Sequence, residues 1–408
     1  MHDTAEASAR RNVRLYYVYT FLMYFALWSG IWIKYLIDDR GFALRYLLLM
    51  DLPFWLLVAT LQAPTGALAD HIGRKRVMAA AGVMYTATIL GFGFVANYWM
   101  LFFDYVIWAF AQSMQSGADQ ALVYDSLRAA GREGEFSHVV GRNFSIQLVA
   151  GLASVVLGGF FAAWLGMSVI VKVSALAPAA AVVVAFSMHE APYAMNEARA
   201  FWRGLGDGLG FAWRNAEVRY TLLIGSVLLT ATFGPVVLVQ PFLIHYDVGT
   251  ALFGVYQAPL RLVAVLSALL AMRATARLGV PMVLNLASVV ILVGYLGLGG
   301  VTSVAAFAFF VLPSLAQGLT RPTIDTYLNH RIPSAQRATV LSAMQLCFAL
   351  QVALFEPALG WLTDGISLAV AFFFAAAYFV LLMPPLLVLW RRARGAGLLV
   401  GAAAASAD

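Results

Sequence analysis

The chain has 408 residues, of which 62% are hydrophobic and 11% are charged, and its formal net charge is +6. Because soluble domains carry roughly twice that charged fraction, the composition excludes a water-soluble fold and indicates a protein with many membrane-spanning helices. The basic residues are dispersed among short connections, which excludes a nucleic-acid interface. The single cysteine, Cys347, excludes a disulfide framework and a multi-cysteine metal site.

Twelve apolar segments predict twelve membrane-spanning helices, numbered here as spans 1 to 12 in chain order. Most of them are longer than the ~20 residues that an α-helix needs to cross the hydrocarbon layer. The predicted spans are residues 15–37, 44–69, 77–96, 99–127, 143–166, 168–188, 219–245, 250–272, 280–300, 303–329, 339–366 and 368–390. We therefore expect an all-α membrane protein.

The charges at the ends of the spans predict their orientation. Residues 1–14 are polar and contain Arg10, Arg11 and Arg14 directly before span 1, which indicates an uncleaved, cytoplasmic N-terminal tail. Lys and Arg are also concentrated in every second loop and in the C-terminal tail, residues 391–408, whereas the opposite loops are almost free of them. This distribution predicts a multi-pass protein of the cell membrane, inner or plasma, with both termini in the cytoplasm.

The longest polar connection, residues 189–218, divides the spans into six and six. Charged and aromatic residues alternate in it, which predicts an amphipathic linker that lies on the inner leaflet. The two halves, residues 15–188 and 219–390, repeat each other weakly. The segment 116–120 in span 4 aligns with the segment 317–321 in span 10. We therefore expect two related six-helix bundles.

The connection between spans 2 and 3 carries a polar motif: a glycine, an aspartate, a second glycine and three consecutive basic residues. These residues are Gly66, Asp70, Gly73, Arg74, Lys75 and Arg76. The motif resembles the loop between the second and third helices of the major facilitator superfamily, a family of membrane transporters. The resemblance implies the fold of that family: twelve transmembrane helices in two pseudo-symmetric six-helix bundles, with the substrate site between the bundles near the membrane midplane.

The same resemblance implies roles for the residues of the motif. Asp70 would accept hydrogen bonds from a helix N-terminus and hold the cytoplasmic gate closed. Gly66 and Gly73 would allow neighbouring helices to approach closely. Arg74 would pair with Asp125 at the inner end of span 4. The alternative is that the basic residues only anchor the topology of the loop.

Ionisable residues within membrane spans are expensive and usually face a cavity or a partner. Asp119, which Gln120 follows in span 4, and Arg321 in span 10 both lie roughly 27 Å from the outer end of their helices at ~1.5 Å per residue. The resemblance implies that both helices line the central cavity. We therefore hypothesise that Asp119 and Arg321 flank this cavity, as an ion pair or as contacts for substrate and proton.

Arg261 in span 8 and Glu356 in span 11 also match in depth, roughly 15 Å from the outer side. These two spans pack together in the family, so the resemblance implies that a buried pair is plausible there. Two interpretations of the pair are open. One is a structural ion pair, and the other is that Glu356 takes up and releases the coupling proton.

Further candidates lie nearer the outer surface. Lys34 in span 1 and Asp51 in span 2 are expected to lie close enough to pair, and Asp104 near the start of span 4 is expected to face solvent. Trp28 and Trp32 share one helical face. That face fits the wall of a cavity for bulky apolar or cationic ligands, and it also fits packing against lipid, which is the more common cause.

The resemblance predicts a secondary active transporter that moves a small molecule by alternating access. The wider motif pattern looks like a prokaryotic-type branch of exporters, which favours proton-coupled efflux of an amphipathic compound. The usual motifs of drug–proton antiporters are incomplete, since Ser113 stands where an arginine is common and Ser154 and Val155 stand where Gly-Pro is common. A proton-coupled uptake permease is therefore the alternative within this class.

A membrane-embedded receptor or enzyme is the competing class. The sequence contains no recognisable nucleophile–base constellation and no His, Asp or Glu group with metal-ligand spacing. We therefore expect no catalytic residue, no metal and no cofactor. The expected partners are a small-molecule substrate, protons and the lipid bilayer, with no nucleic acid, and we expect the protein to work as a monomer.

Overall fold

A computed structural model describes residues 2–115, 117–190 and 210–405 of the chain. Within these ranges the regular secondary structure is helical, and no strand is present. The prediction of an all-α protein is therefore confirmed. Most of the predicted amphipathic linker, residues 191–209, lies outside the described residues, and the described part of it includes a helical segment at 210–214.

The first half of the chain forms helices α1 to α10, several of which are joined by short 3-10 or π-helical segments. The helices are α1 (His2–Tyr24), α2 (Trp32–Lys34), α3 (Leu44–Leu49), α4 (Asp51–Ile72), α5 (Arg74–Phe94), α6 (Tyr98–Gln115), α7 (Ala118–Ala129), α8 (Phe136–Leu165), α9 (Met167–Val173) and α10 (Leu176–Ser187). The short segments are Leu27–Gly30, Tyr35–Asp39 and Glu133–Glu135.

The second half forms helices α11 to α16. They are α11 (Ala216–His245), α12 (Phe253–Leu278), α13 (Val280–Gly300), α14 (Val311–Asn329), α15 (Ser334–Gly365) and α16 (Leu368–Ala405). The 3-10 segments Thr250–Leu252 and Val304–Phe310 precede α12 and α14. The side chain of Asn215 caps α11 by accepting a hydrogen bond from the N–H of Val218 at 3.1 Å, as asparagine commonly does at this position.

The length and hydropathy of these helices show which of them correspond to the predicted membrane spans. Among the described residues, ten helices are long and apolar enough to cross a membrane, or eleven if Ala5–Gly30 and Trp32–Asp39, which are bent by 49°, count as one span. Span 4 is divided into α6 and α7, since Gly117 between them has a φ of 87°. Glycine adopts such a left-handed φ without steric penalty. With α6 and α7 taken as one interrupted span, the helices match the twelve predicted spans.

The chain forms two compact units. The first contains Met1–Ala198 together with Asp247–Ala258, and the second contains Arg199–Tyr246 together with Pro259–Asp408. The beginning of α12 therefore belongs to the first unit. Pro259, inside the same helix, begins the next part of the second unit.

Two buried apolar clusters lie in the described part of the first unit. One includes Tyr19, Met78 and Leu122, from α1, α5 and α7, and the other includes Phe92 and Tyr105, from α5 and α6. Lipid is as apolar as these side chains, so close packing and internal hydrogen bonds, rather than removal from water, hold such helices together. The hydroxyl of Tyr19 provides one of these bonds by donating to the carbonyl of Met78 at 3.2 Å.

Small residues and hydrogen bonds also join the helices of the second unit. Gly318 of α14 faces the backbone of α12 at Ala264, where a Cβ would collide with the carbonyl oxygen. Tyr295 of α13 donates a hydrogen bond to the carbonyl of Ala231 in α11. The aligned glycines of spans 4 and 10 therefore have different structural roles, because Gly117 interrupts its span whereas Gly318 lies within a continuous helix.

Candidate functional site

The turn between α4 and α5 is built around Gly73. Its φ of 99° lies in a region that residues with a side chain rarely adopt, and its N–H ends α4 by donating to the carbonyl of Ala69 at 3.1 Å. A Cβ at this position would lie 3.3 Å from Oε2 of Glu190. Gly279, between α12 and α13, has a similar conformation, with φ 76° and ψ 154°. The corresponding turns of the two halves therefore share one backbone shape.

Glu190 closes this turn. Its carboxylate accepts hydrogen bonds from the backbone N–H groups of Arg74 at 2.7 Å and Lys75 at 3.1 Å, the first residues of α5. The first N–H groups of a helix have no partner within the helix, and the helix dipole favours an anion there. Sequence reasoning missed Glu190, because no local pattern connects residues 116 positions apart.

The remaining motif residues of α4 are only partly described. Gly66 is exposed on α4. Asp70 lies within the helical backbone of α4, and its side chain lies outside the described part of the structure. The role that the resemblance implies for Asp70, binding to a helix N-terminus, therefore stays a prediction.

Arg74 forms an ion pair with Asp125 of α7. The two side chains have exposed fractions of only 12% and 10%. The pair thus lies between the basic turn and the end of span 4, where the resemblance places it, and its role in gating stays a prediction. Because both charges are largely shielded from water, the loss of either partner would remove the compensation that it gives to the other.

Asn12 connects three further segments near this turn. Its side-chain nitrogen donates to Oγ of Ser126 at 2.9 Å and to the carbonyl of His189 at 2.8 Å, and its side-chain oxygen accepts from the N–H of His189 at 2.9 Å. Asn12 is fully buried, although it lies in the polar tail of the sequence. We define the latch cluster as Asn12, Arg74, Asp125, Ser126 and Glu190.

The second unit has a comparable cluster at the start of α11. Glu217 accepts hydrogen bonds from the hydroxyl of Tyr327 and from Nε of Arg331, the latter at 2.5 Å. The guanidinium of Arg331 lies 3.6 Å from the centroid of the Tyr327 ring, which is a cation–π contact. Trp390 donates from Nε1 to the hydroxyl of Thr221 at 3.0 Å. These contacts join the start of α11 to the end of α14 and to the middle of α16.

Asp119 and Arg321 each have a contact within their own unit. Asp119 is buried, with 8% of its surface exposed, and its Oδ1 accepts a hydrogen bond from the N–H of the exposed Gln120 at 2.7 Å. Nε of Arg321 lies 3.0 Å from Oδ2 of Asp325, four residues later in α14. Arg321 also lines a small, partly open cavity in the second unit. The hypothesis that Asp119 and Arg321 act together stays a prediction.

The other charged candidates occupy different environments. Glu356 of α15 is buried, with 1% of its surface exposed, whereas Arg261 of α12 is at an exposed position. Asp51 is buried at the start of α4. Lys34 pairs with Asp38 over one helical turn, with Nζ 2.5 Å from Oδ2. The proposed transport roles of these residues stay predictions.

Trp28 lies in an aromatic cluster inside the first unit. Its ring centroid is 5.6 Å from that of Phe92 and 5.5 Å from that of Trp108, and Trp32 is 6.5 Å from Phe92. These separations are typical of packed aromatic pairs. Asp104 is 8% exposed, so the expectation that it faces solvent is wrong. The reason is that α5 covers it, since α5 has a glycine at the point of contact.

The start of α12 packs closely within the first unit. A Cβ on Gly254 would lie 2.5 Å from the Cα of Val156 in α8, so the two backbones approach each other without an intervening side chain. Nε2 of Gln257 donates to the carbonyl of Gly30 at 2.8 Å. We define the outer contact as Gly30, Val156, Gly254 and Gln257.

The fold and the buried charges define the class of protein. Many of the helices are long and apolar enough to cross a membrane, and two of the buried residues in them, Asp51 and Glu356, are carboxylates. The described residues contain no group of three metal-ligating side chains able to hold a metal ion. A polytopic helical bundle of this kind is the architecture of secondary transporters.

The family model of the Major Facilitator Superfamily matches residues 15–355. The chain therefore belongs to that superfamily. This match and the solved structures below confirm the sequence-based identification of the family and its twelve-helix fold.

Solved structures of transporters resemble the chain over nearly its whole length. A mutant form of the nucleoside transporter NupG is 16% identical, with 93% of this chain and 99% of that chain covered and a TM-score of 0.77. A bacterial homolog of the human lysosomal transporter Spinster, inward-facing and occupied, is 12% identical, with 95% and 96% covered and a TM-score of 0.74. A D-xylose–proton symporter is 13% identical, with 94% and 97% covered and a TM-score of 0.68. No curated protein sequence matches the chain significantly.

Proposed function

We propose that the protein is a proton-coupled secondary transporter that exports a small amphipathic compound by alternating access. Membership of the Major Facilitator Superfamily supports transport in general. The observation that carries proton coupling is the burial of Glu356 within α15. A carboxylate inside a membrane span is energetically expensive and usually belongs to a pathway for ions, protons or substrate.

The proposal includes the setting in which the protein works. We propose a monomer in the cell membrane, with both termini in the cytoplasm and no catalytic activity. The concentration of Lys and Arg in alternate loops supports this orientation. The latch cluster then lies on the cytoplasmic side, where it stabilises the ends of the spans that surround the basic turn.

A proton-coupled uptake permease is the second candidate. One solved structure with the same fold is described as a D-xylose–proton symporter, so this architecture is compatible with symport. The wider motif pattern, which looks like that of exporters, favours efflux. The two candidates differ in the direction in which protons move relative to the substrate.

A proton-flux assay distinguishes the exporter from the uptake permease. The purified protein is placed in liposomes that are loaded with the pH-sensitive dye pyranine. A panel of amphipathic compounds is added outside. Antiport makes the lumen alkaline, because protons leave as substrate enters, whereas symport makes it acidic. The sign is independent of how the protein is oriented in the liposome. We expect alkalinisation with at least one compound, and acidification would favour the uptake permease.

Two carboxylates of α15 provide the test variant and its matched control. Glu356→Gln is expected to abolish the proton flux, whereas Asp364→Asn, at an exposed position of the same helix, is expected to retain it. Protein-free liposomes correct for passive entry of weak bases. Undiminished proton flux in Glu356→Gln would remove this residue as the proton carrier. Transport of a labelled compound with no proton movement would reject proton coupling.

A further inference from the structure

The first unit contains a partly open cavity between the Leu27–Gly30 segment, α5 and α6, with about 270 Å³ of empty space that includes its opening. The enclosed part has room for little more than a water-sized group, so an organic cation bound there would also occupy the opening. The lining is mostly aromatic, with one aliphatic residue and a few polar groups. It consists of Trp28, Tyr85, Thr88, Ile89, Phe92, Asp104 and Trp108.

Asp104 is the charged group of this lining. Its side chain lies against α5 at Gly91, where a Cβ would be 2.5 Å from Oδ1, and 8% of its surface is exposed. In the described part of the chain, no hydrogen-bond donor or basic side chain contacts its carboxylate. An ionised carboxylate that is buried without a partner is strongly unfavourable, so Asp104 either holds a proton or is paired with a cation that the described residues do not supply.

The other polar groups of the lining differ from Asp104. The hydroxyl of Tyr85 donates to Oε1 of Gln112, and the hydroxyl of Thr88 donates to the carbonyl of Met84 at 2.7 Å. Both are therefore engaged within the protein. Asp104 takes part in neither of these hydrogen bonds, so its carboxylate is available as an acceptor for a ligand.

Basic side chains packed against the same stretch of α5 are also engaged elsewhere. The guanidinium of Arg40 donates to the carbonyl of Gly93 at 2.5 Å and to the hydroxyl of Tyr35 at 2.6 Å. Nζ of Lys172 lies 4.4 Å from the centroid of the Phe94 ring. Neither of these two side chains therefore supplies a positive charge to Asp104, whereas a bound cation would.

The rings around the cavity suit a cation. Trp28 lies 5.5 Å from Trp108 at an interplanar angle of 76°, and 5.6 Å from Phe92 at 49°. The negative faces of aromatic rings attract organic cations, and desolvation strengthens that attraction. Nε1 of Trp28 is buried and has no hydrogen-bond partner among the described residues. It offers a donor to a polar atom of the same ligand.

We propose that this cavity binds a small organic cation, a protonated amine, with Asp104 as its counter-ion and with Trp28, Phe92 and Trp108 supplying ring faces. The site lies within the first unit. It concerns binding only, and it does not rest on the direction or the proton coupling of transport.

Calorimetric titration of the purified full-length protein in detergent tests this site. The probes are phenethylamine, its neutral analogue phenylethanol and the permanent cation tetramethylammonium. We expect phenethylamine to bind and phenylethanol to bind much more weakly. Asp104→Asn should weaken amine binding by about 10- to 100-fold, which is the worth of a hydrogen bond to a charged group. Asp39→Asn, at an exposed position, should leave binding unchanged.

Three further variants keep the test decisive if Asp104→Asn does not fold. Asp104→Glu keeps the charge and should retain measurable binding. Trp28→Phe keeps a ring face and removes the donor, so it should weaken amine binding less than Trp28→Leu does. Equal binding of amine and alcohol, undiminished binding in a folded Asp104→Asn variant, or no binding of either cation would overturn the proposal. In the last case the cavity holds only water.

Discussion

The latch cluster contains two carboxylates that act on different groups. Asp125 neutralises the guanidinium of Arg74, whereas Glu190 accepts hydrogen bonds from backbone N–H groups at the start of α5. The first contact depends on both charges, and the second depends mainly on an acceptor in the correct place. Substitutions of Asp125 and of Glu190 should therefore affect the stability of the protein in different ways.

Asp125→Asn removes the carboxylate that pairs with the largely buried charge of Arg74. We expect the free energy of unfolding to fall by about 3–5 kcal/mol, as for other broken buried pairs. The double variant Arg74→Gln/Asp125→Asn should be less destabilised than the sum of the two single changes. Denaturant unfolding in detergent measures this, and Arg76→Gln, at an exposed position, is the control. Strict additivity of the single changes would contradict the pairing.

Glu190→Ala removes the acceptor at the start of α5. The expected loss of stability is about 1 kcal/mol, typical of a removed helix cap. Glu190→Gln keeps an acceptor and loses only the charge, so its effect should be about 0.3–1 kcal/mol. Hydrogen–deuterium exchange of residues 74 and 75 should become faster in Glu190→Ala and stay unchanged in Glu133→Gln. Unchanged exchange in Glu190→Ala would remove Glu190 from the latch cluster.

At the scale of elements, two helices illustrate how backbone shape sets packing. Gly117 divides span 4 into α6 and α7, because its positive φ is incompatible with a continuous helix. Gly254 instead allows α12 to contact the backbone of α8. In both cases the missing side chain determines where a helix ends or how closely it can pack.

Gly254→Ala should disrupt the outer contact, because its Cβ would overlap the backbone of α8. Overpacking of this kind typically destabilises a protein by about 1–3 kcal/mol. The matched control is Gly249→Ala, since its Cβ would meet nothing within 4 Å and its φ of −60° suits any residue. Thermal unfolding in detergent measures both variants. Equal melting temperatures for the two variants would show that the close approach of α12 to α8 does not exclude a side chain at position 254.

At the scale of the whole molecule, the predicted orientation can be tested by labelling. In a Cys347→Ser background, His71→Cys should react with a membrane-impermeant maleimide only after cells are permeabilised. Asp39→Cys, on the opposite side of span 2, should react in intact cells, since both positions are exposed in the structure. The physical reason is that basic loops stay in the cytoplasm. The reverse labelling pattern would invert the orientation and place the latch cluster outside.

Several features of the protein follow from the sequence alone. The helical class and the twelve spans follow from the length of the apolar segments, because a membrane requires about 20 such residues per crossing. The family follows from a motif of fixed spacing, and the resemblance to that family implied the pairing of Arg74 with Asp125. These features depend on residues near each other in the chain or on a pattern shared by many related proteins.

Other features were decided only by the tertiary structure. Glu190 and Asn12 lie far in sequence from their partners. Asp104 is buried, although the sequence suggested that it faces solvent. Composition shows that a segment crosses the membrane, but it does not show which neighbouring helix covers a given side chain. That choice is made by packing, through glycines such as Gly91 that allow two helices to meet. For this reason the spans could be predicted, whereas the partners of their polar groups could not.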